Sequence, residues 1–305
     1  MADWKAANIP DLTGKIVLVT GANIGLGKAS TQLMAAKGAQ VVMAVRTVSK
    51  GEEAADDVRK EVPNAQLNVM ALDLADLASV RAFAADFTAT HDRLDILMNN
   101  AGVMATPQMT TQDGFELQLG TNHLGHYALT GLLIDTLLAT PYSRIVNVSS
   151  GAADGAKIRF DDLMFSDDYS RFEAYGQSKL ANLLFTVELQ KRLVENEAPT
   201  LAVAAHPGVA SSNLVSSMRI PVPGVTTLAN LLTRLMFPDT ETGALSQVRA
   251  AVDSSVKGGE YYGPDKGMRG WPVQIDMPES VNAADAPRLW EISADLTGVR
   301  FLRGI

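Results

Sequence analysis

Residues 15–45 constrain this chain more than any other stretch. Lys15–Thr20 is a short run dense in Val, Ile and Leu, and it passes directly into Gly21-Ala22-Asn23-Ile24-Gly25-Leu26-Gly27. A helical pattern follows, with Leu26, Ala29, Leu33, Met34 and Ala36 near one face, and Lys37-Gly38 stops it. Gln40–Val45 is again apolar throughout. Strand, glycine turn, helix and strand make a βαβ unit.

The alternation continues. Lys50–Glu61 reads as a charged helix stopped by Pro63, Gln66–Leu72 as a strand and Leu77–Thr90 as a helix. Asp95–Met98, Arg144–Val148 and Thr200–Ala205 read as strands, and Asn122–Ala139 and Ala174–Asn196 as long helices. Short strands that are apolar throughout are buried on both faces, as in a parallel sheet covered by helices. No repeat or Pro/Gly/Ser linker divides the 305 residues, so one α/β domain is expected over 1–305. Its core spans about 12–210. A late strand near Val273–Ile275 and a helix near Ala286–Leu296 fall in a C-terminal part at about 256–305.

Two connections break the rhythm. Ser149 to Glu173 is long and polar, and connections of that length are functional or disordered. Residues 211–238 mix Ser, Pro, Gly and apolar side chains and read as a helical lid over a pocket. Leu214, Met218, Ile220, Val222 and Leu228 in that lid suit a hydrophobic ligand, or ordinary helix packing.

Composition excludes several classes. The net charge of −8 gives no footprint for nucleic acid and disfavours anionic lipid. With no cysteine there is no disulfide, thiolate metal site or cysteine nucleophile. His123 and His126 are three apart but lack carboxylates at ligand spacing, so no metal is expected. His206, before Pro207-Gly208, reads as a strand-end residue. Residues 1–10 lack a signal-peptide pattern, and no stretch reaches the roughly 20 apolar residues of a membrane span. A cytoplasmic protein without a membrane anchor is the expectation.

The chemistry-bearing residues cluster after strands. Gly21, Gly25 and Gly27 lie between a strand and a helix, where backbone can approach a pyrophosphate and the helix N-terminus can hold it. The second strand ends Ala44-Val45-Arg46, without the acid that would accept from the 2′-hydroxyl of NAD(H). Arg46 suits the 2′-phosphate of NADP(H), or is a solvated surface residue; Lys28 and Lys50 can add positive charge. Asp73 reads either as an adenine-side residue or as a helix cap before Leu77. Asn99-Asn100-Ala101-Gly102 can hold neighbouring loops and the adenosine ribose, or form a plain turn. Tyr175 and Lys179 are four apart on a helix, so both can point into one site. A nearby ammonium lowers a phenol's pKa towards the range useful for acid–base work. Ser149-Ser150 ends the fifth strand, and Asn122 opens the preceding long helix.

Taken together, Thr20-Gly21-x-x-x-Gly25-x-Gly27, Asn99-Asn100-Ala101-Gly102, Asn122, Ser150 and Tyr175-x-x-x-Lys179 resemble the short-chain dehydrogenase/reductase family from about residue 12 to 215. The resemblance implies a Rossmann-type, doubly wound fold with a seven-stranded parallel sheet. By it Tyr175 is the general acid/base, Lys179 binds the nicotinamide ribose and lowers the tyrosine pKa, Ser150 positions the substrate oxygen and Asn122 holds a relay water. It places Asn23, Ile24, Leu74, Ala101, Gly102, Pro207, Gly208, Val209 and Ser212 in the cofactor site as well.

Thr121-Asn122-His123-Leu124-Gly125-His126, Ser178-Lys179-Leu180-Ala181-Asn182 and the Ser150–Tyr175 gap are similar to the retinol dehydrogenase-like branch. That branch includes the light-dependent protochlorophyllide reductases, from which the absence of cysteine separates this chain. The expected activity is NADP(H)-dependent interconversion of a carbonyl and an alcohol on a small, hydrophobic substrate. A cofactor-binding regulatory or scaffold protein is the competing reading. The two long helices resemble those that build homodimers and homotetramers in the family, although members of this branch can be monomers.

Overall fold

The computed structural model describes residues 3–208, 240–267 and 269–302. The proposed lid at 211–238, Val209 and Ser212 lie outside the described residues.

The chain alternates strand and helix as its apolar runs dictate. β1 is Ile16–Thr20, α1 Gly25–Ala35, β2 Gln40–Val45, α2 Val48–Glu61, β3 Gln66–Ala71, α3 Leu77–Thr90 and β4 Ile96–Asn99. A one-turn helix α4, Leu117–Leu119, leads through a π-helical turn at Gly120–Leu124 into α5, Gly125–Leu132, and α6, Ile134–Ala139. β5 is Arg144–Val148, α7 Arg171–Glu195, β6 Leu201–Ala205, α8 Thr240–Val252, β7 Tyr261–Pro264, β8 Pro272–Ile275 and α9 Asp285–Thr297.

One sheet has the order β3-β2-β1-β4-β5-β6-β7-β8. The first seven strands in that order pair in parallel, and β8 pairs antiparallel with β7. This corrects the sequence reading in one respect. Val273–Ile275, expected as the seventh strand, belongs to an eighth, antiparallel edge strand. The seventh is Tyr261–Pro264, which follows Gly258-Gly259 and ends in Gly263-Pro264.

Side chains alternate between the two faces of the sheet, and both faces are covered. Val41, Met43 and Val45 of β2 join the core beneath α1, α2 and α8, while Val42 and Ala44 join the core beneath α3, α5 and α7. The strand order reverses between β1 and β4. Open α/β sheets bind ligands outside the carboxyl ends of strands at such a point. The loops that follow β1 and β4 carry Gly21–Gly27 and Asn100–Gly102.

The Ser149–Glu173 connection is packed down. Gln177 donates from Nε2 to the Leu163 carbonyl at 2.9 Å and accepts from the Arg159 N–H at 2.8 Å. Phe165 is buried beneath it. The C-terminal helix α9 lies on α7 and α5, so it covers part of the face that these long helices would otherwise expose.

Candidate active site

The glycine loop leaves β1 with positive φ at Gly21 (66°) and Gly25 (55°). Gly27 is the tightest position: a Cβ there would collide with the Gly21 carbonyl and stand 2.6 Å from Asn100 Nδ2. Ile24 takes the N-cap position of α1 in extended conformation and supplies no side-chain cap. The first N–H groups of this 11-residue helix are therefore left to a ligand or solvent. Asn23 is half-buried and Ile24 exposed on the same loop. Arg46 is exposed immediately after β2, on the side of the loop where the second strand ends. These residues fit a dinucleotide whose phosphates lie on α1.

Other cofactor candidates have more defined partners than the sequence indicates. Lys28 is turned away to Asp57 on α2, 2.8 Å off, and the Lys28 and Lys60 ammoniums hold that carboxyl down at about 2. Lys28 therefore belongs to a helix–helix ion pair. Asp73 bonds its own turn, Oδ1 accepting from the Ala75 N–H at 3.0 Å, while Asp76 caps α3. Leu74 is buried against Gly125. The Asn100 amide is committed: Nδ2 donates to the Thr20 carbonyl at 2.8 Å and Oδ1 accepts from Gln247 Nε2 at 3.0 Å. Asn99 is buried in a polar pair with Asn147. Gln247 was not legible as a site residue; a glutamine on an otherwise small, apolar helix face is the signal that could have marked it. Pro207 and Gly208 follow β6, and the Gly208 N–H donates to His206 Nδ1 at 3.1 Å.

The acid–base group assembles from β5, the π-helical turn and α7. The Ser150 side chain faces the Tyr175 hydroxyl and opposes the effect of burial on it, while its Oγ accepts from the Ala152 N–H at 3.2 Å. The adjacent Ser149 points elsewhere, donating to the Lys179 carbonyl at 2.8 Å, so the two serines have separate partners. Lys179 Nζ donates to the Val148 carbonyl at 3.1 Å and lies 5.8 Å from the Tyr175 ring centroid. Asn122 links the parts. Its Oδ1 accepts from the Val103 N–H at 2.8 Å, and its Nδ2 donates to the Val103 carbonyl and to Ser178 Oγ, each at 2.9 Å. Gly102 permits this approach: a Cβ would stand 3.1 Å from Asn122 Oδ1 and 3.3 Å from Lys179 Nζ and press both back by a few tenths of an ångström.

Asn122 does not open a helix. Glu116 caps the helical run four residues before the π-helical turn begins, accepting from the Gln118 and Leu119 N–H groups. Asn122 sits inside the turn, where the Gly125 N–H reaches back to the Gly120 carbonyl. Such expanded turns are frequent at functional sites.

The titration of the pair also differs from the sequence expectation. Burial pushes the Tyr175 phenol up, opposed only by the Ser150 side chain. Burial pulls Lys179 down to about 8. Both shifts have one cause: loss of water disfavours phenolate and ammonium alike. The phenol is thus protonated at neutral pH in the protein alone. A recess of about 420 Å³ at the start of α7 is walled by Ala152, Phe165, Phe172 and Gly176, with Asp154, Lys157, Arg159 and Glu173 as its charged lining.

The family model described as short chain dehydrogenase matches residues 15–221. The chain belongs to the short-chain dehydrogenase family. Its relatives are retinol dehydrogenase-like. The chain is 44% identical over 295 residues to retinol dehydrogenase 12 from Homo sapiens, covering 95% of this chain and 88% of that one. It is 41% identical over 301 residues to retinol dehydrogenase 14 from Homo sapiens, covering 94% and 87%. A solved structure of an uncharacterised protein from Mycobacterium paratuberculosis has 39% identity and a TM-score of 0.82, covering 98% of this chain and 99% of that one. The Pseudomonas aeruginosa RhlG/NADP active-site complex shares the fold at 22% identity and a TM-score of 0.67, covering 85% and 97%. As a short-chain dehydrogenase the chain is an oxidoreductase with a nicotinamide-cofactor fold. Among the described residues no helix is long and apolar enough to cross a membrane, and no three His, Asp or Glu gather as metal ligands.

Three histidines make the fold sensitive to acid. Burial holds His126 at about 3, and His123 and His206 at about 4, against an ordinary 6.5. Below pH 6.5 the unfolded chain takes up protons that the folded chain refuses until its own lower pKa. Stability from these groups is therefore fully present above about 6.5 and is lost as pH falls towards 4. Glu116, pushed up by burial, works in the opposite direction. Melting temperatures should be level from pH 7 to 8 and fall steadily from pH 6 to 4.5; a level profile down to pH 5 would refute this.

Proposed function

We propose that this short-chain dehydrogenase interconverts a hydrophobic carbonyl compound and its alcohol with NADP(H), with Tyr175 as general acid/base. The observation that carries the reading is the convergence of Ser150, Tyr175 and buried Lys179 beyond the carboxyl end of β5, next to the strands where the sheet order reverses. The nicotinamide, when bound, supplies or accepts the hydride. The chain supplies the proton: a phenol kept protonated by burial can donate to the oxygen of a carbonyl being reduced. Ser150 donates a second hydrogen bond to that oxygen and fixes it next to Tyr175. Lys179 holds the nicotinamide ribose and, as an ammonium, stabilises the phenolate left after proton transfer. Asn122 keeps Val103 and Ser178 at fixed distances, and so holds the loop after β4 against α7.

Gly21, Asn23, Ile24, Gly25 and Gly27 would take the pyrophosphate, and Asp73 and Leu74 the adenine side. Ala101, Gly102, Pro207, Gly208, Val209 and Ser212 would flank the nicotinamide half, with Asn100 contributing through its backbone. Arg46 is the determinant of NADP(H) over NAD(H), since no carboxylate ends β2. A long apolar aldehyde is the substrate class, in keeping with relatives named for retinol. A cytoplasmic location is the matching assignment.

The test is NADPH oxidation against a panel of apolar aldehydes and ketones that includes retinal. Arg46→Ala should raise the KM for NADPH at least tenfold and leave that for NADH within twofold. Preference for NADH unchanged by that substitution would refute the cofactor assignment. Tight NADPH binding without turnover on the whole panel would favour a regulatory role.

A further inference from the structure

The side chain of His126 lies between the cofactor loops and the acid–base group, and nothing in the proposed chemistry uses it. It is 1% exposed. Its Nδ1 is 2.9 Å from the carbonyl oxygen of Asn122, four residues back in the π-helical turn. Its Nε2 is 2.9 Å from Thr20 Oγ1 at the end of β1. Thr20 Oγ1 in turn accepts the Asn100 and Ala101 N–H groups, both at 2.9 Å.

A carbonyl oxygen can only accept, so Nδ1–H donates to Asn122, and a neutral ring leaves Nε2 as an acceptor. The Thr20 hydroxyl meets two acceptors, His126 Nε2 at 2.9 Å and the Met98 carbonyl at 3.4 Å, and its proton goes to the nearer. The Ala101 N–H, and the Asn100 N–H that it shares with the Met98 carbonyl, approach the hydroxyl's lone pairs. An imidazolium would turn a second N–H on that oxygen, and it would face the Lys179 ammonium and His123 as well.

We infer that His126 is a positioning residue of the acid–base site: as the neutral Nδ1–H tautomer it ties the backbone of Asn122 to Thr20 and the Asn100-Ala101 turn, and so fixes Asn122 against Val103 and Ser178. The amide of Asn122 reaches Ser178, whose hydroxyl donates to the Tyr175 carbonyl at 2.8 Å. Movement of Asn122 would therefore shift α7 between Tyr175 and Lys179. His123 takes a different course, its Nε2 meeting Ser293 Oγ of α9 at 2.8 Å, so the two histidines are not interchangeable.

This inference rests on the proposed acid–base chemistry for its kinetic consequence, but the tie itself can be read without turnover. The chain has four histidines, which makes ¹⁵N-histidine spectra assignable with single variants. His126 should show the neutral Nδ1–H tautomer from pH 5.5 to 8.5; the Nε2–H tautomer, or protonation near pH 6.5, would overturn the tie. In the kinetic arm, His126→Phe keeps the ring volume and removes both bonds. Its kcat at saturating NADPH and aldehyde should fall at least tenfold, with the aldehyde KM within threefold. His126→Asn places an amide N–H where Nδ1–H was but cannot reach Thr20; keeping one end of the tie, it should recover part of the kcat lost in His126→Phe and stay at least threefold below wild type. Equal losses in both variants, following their melting temperatures, would reduce His126 to a packing residue and overturn the inference. So would His126→Phe losing NADPH affinity alone. Wild-type protein with no turnover would sink the enzymatic reading instead, and the nitrogen shifts would still decide the tie.

Discussion

Tyr175→Phe should abolish turnover, lowering kcat by about 10²–10⁴-fold while NADPH still binds. The substitution removes one hydroxyl from a ring that is 6% exposed, so the fold has no reason to change. What it removes is the proton source. Burial keeps the Tyr175 phenol protonated, and Ser150 is its side-chain partner. With phenylalanine, the oxygen of the substrate keeps Ser150 as a hydrogen-bond donor but has no acid beside it. Affinity for NADPH should stay within about threefold, because the proposed phosphate contacts are the α1 loop and Arg46, which the substitution does not touch. Steady-state kinetics and NADPH fluorescence titration check the two halves separately. Substantial turnover in the phenylalanine variant would mean that another group moves the proton.

The largest effect on stability should come from Trp290→Ala, a loss of about 3–5 kcal/mol, or about 10 °C in melting temperature. Trp290 is the centre of an aromatic cluster on α9. Its ring lies 5.1 Å from Tyr127, 5.8 Å from Phe185 and 4.7 Å from Phe301, and the Arg192 guanidinium sits 4.5 Å over it. Alanine would leave a cavity among rings that cannot collapse, because Tyr127 and Phe185 are held by the sheet side of the core. It would also uncover Arg192, which donates to Glu188 at 2.7 Å and to the Leu302 carbonyl at 3.1 Å. The kcat of the folded variant should change little. Because α9 covers α7 and α5, a homodimer or homotetramer built on bare long helices would require that helix to move. Sedimentation of the wild type at micromolar concentration should give one chain, and the variant is the form in which self-association would emerge.

The strands and most helices were legible because this sheet is buried on both faces, so each strand is an unbroken apolar run. The failures have tertiary causes. Tyr261–Pro264 becomes β7 by pairing with β6, although Gly258-Gly259 and Gly263-Pro264 carry the local signals of a turn. Asn122 has the sequence character of a cap, yet Glu116 caps the run, and the π-helical turn is held by Val103, Ser178 and His126 from distant segments. Lys28 stands beside the glycine loop in sequence, but the carboxylate it meets comes from α2. The i, i+4 spacing of Tyr175 and Lys179 was plain, whereas the direction of their pKa shifts depends on burial that no local spacing encodes. His126 looked like half of a discarded metal pair; only the positions of Thr20 and the Asn122 carbonyl reveal its use.

The central claim is that this site transfers hydride to a carbonyl while Tyr175 delivers the proton. The direct measurement incubates the enzyme with an apolar aldehyde and NADPH deuterated at nicotinamide C4, then examines the alcohol by mass spectrometry. The account predicts one deuterium on the carbinol carbon with the wild type, and none above background with Tyr175→Phe. NADPH bound tightly by the wild type with no deuterium in any product across the panel would contradict it.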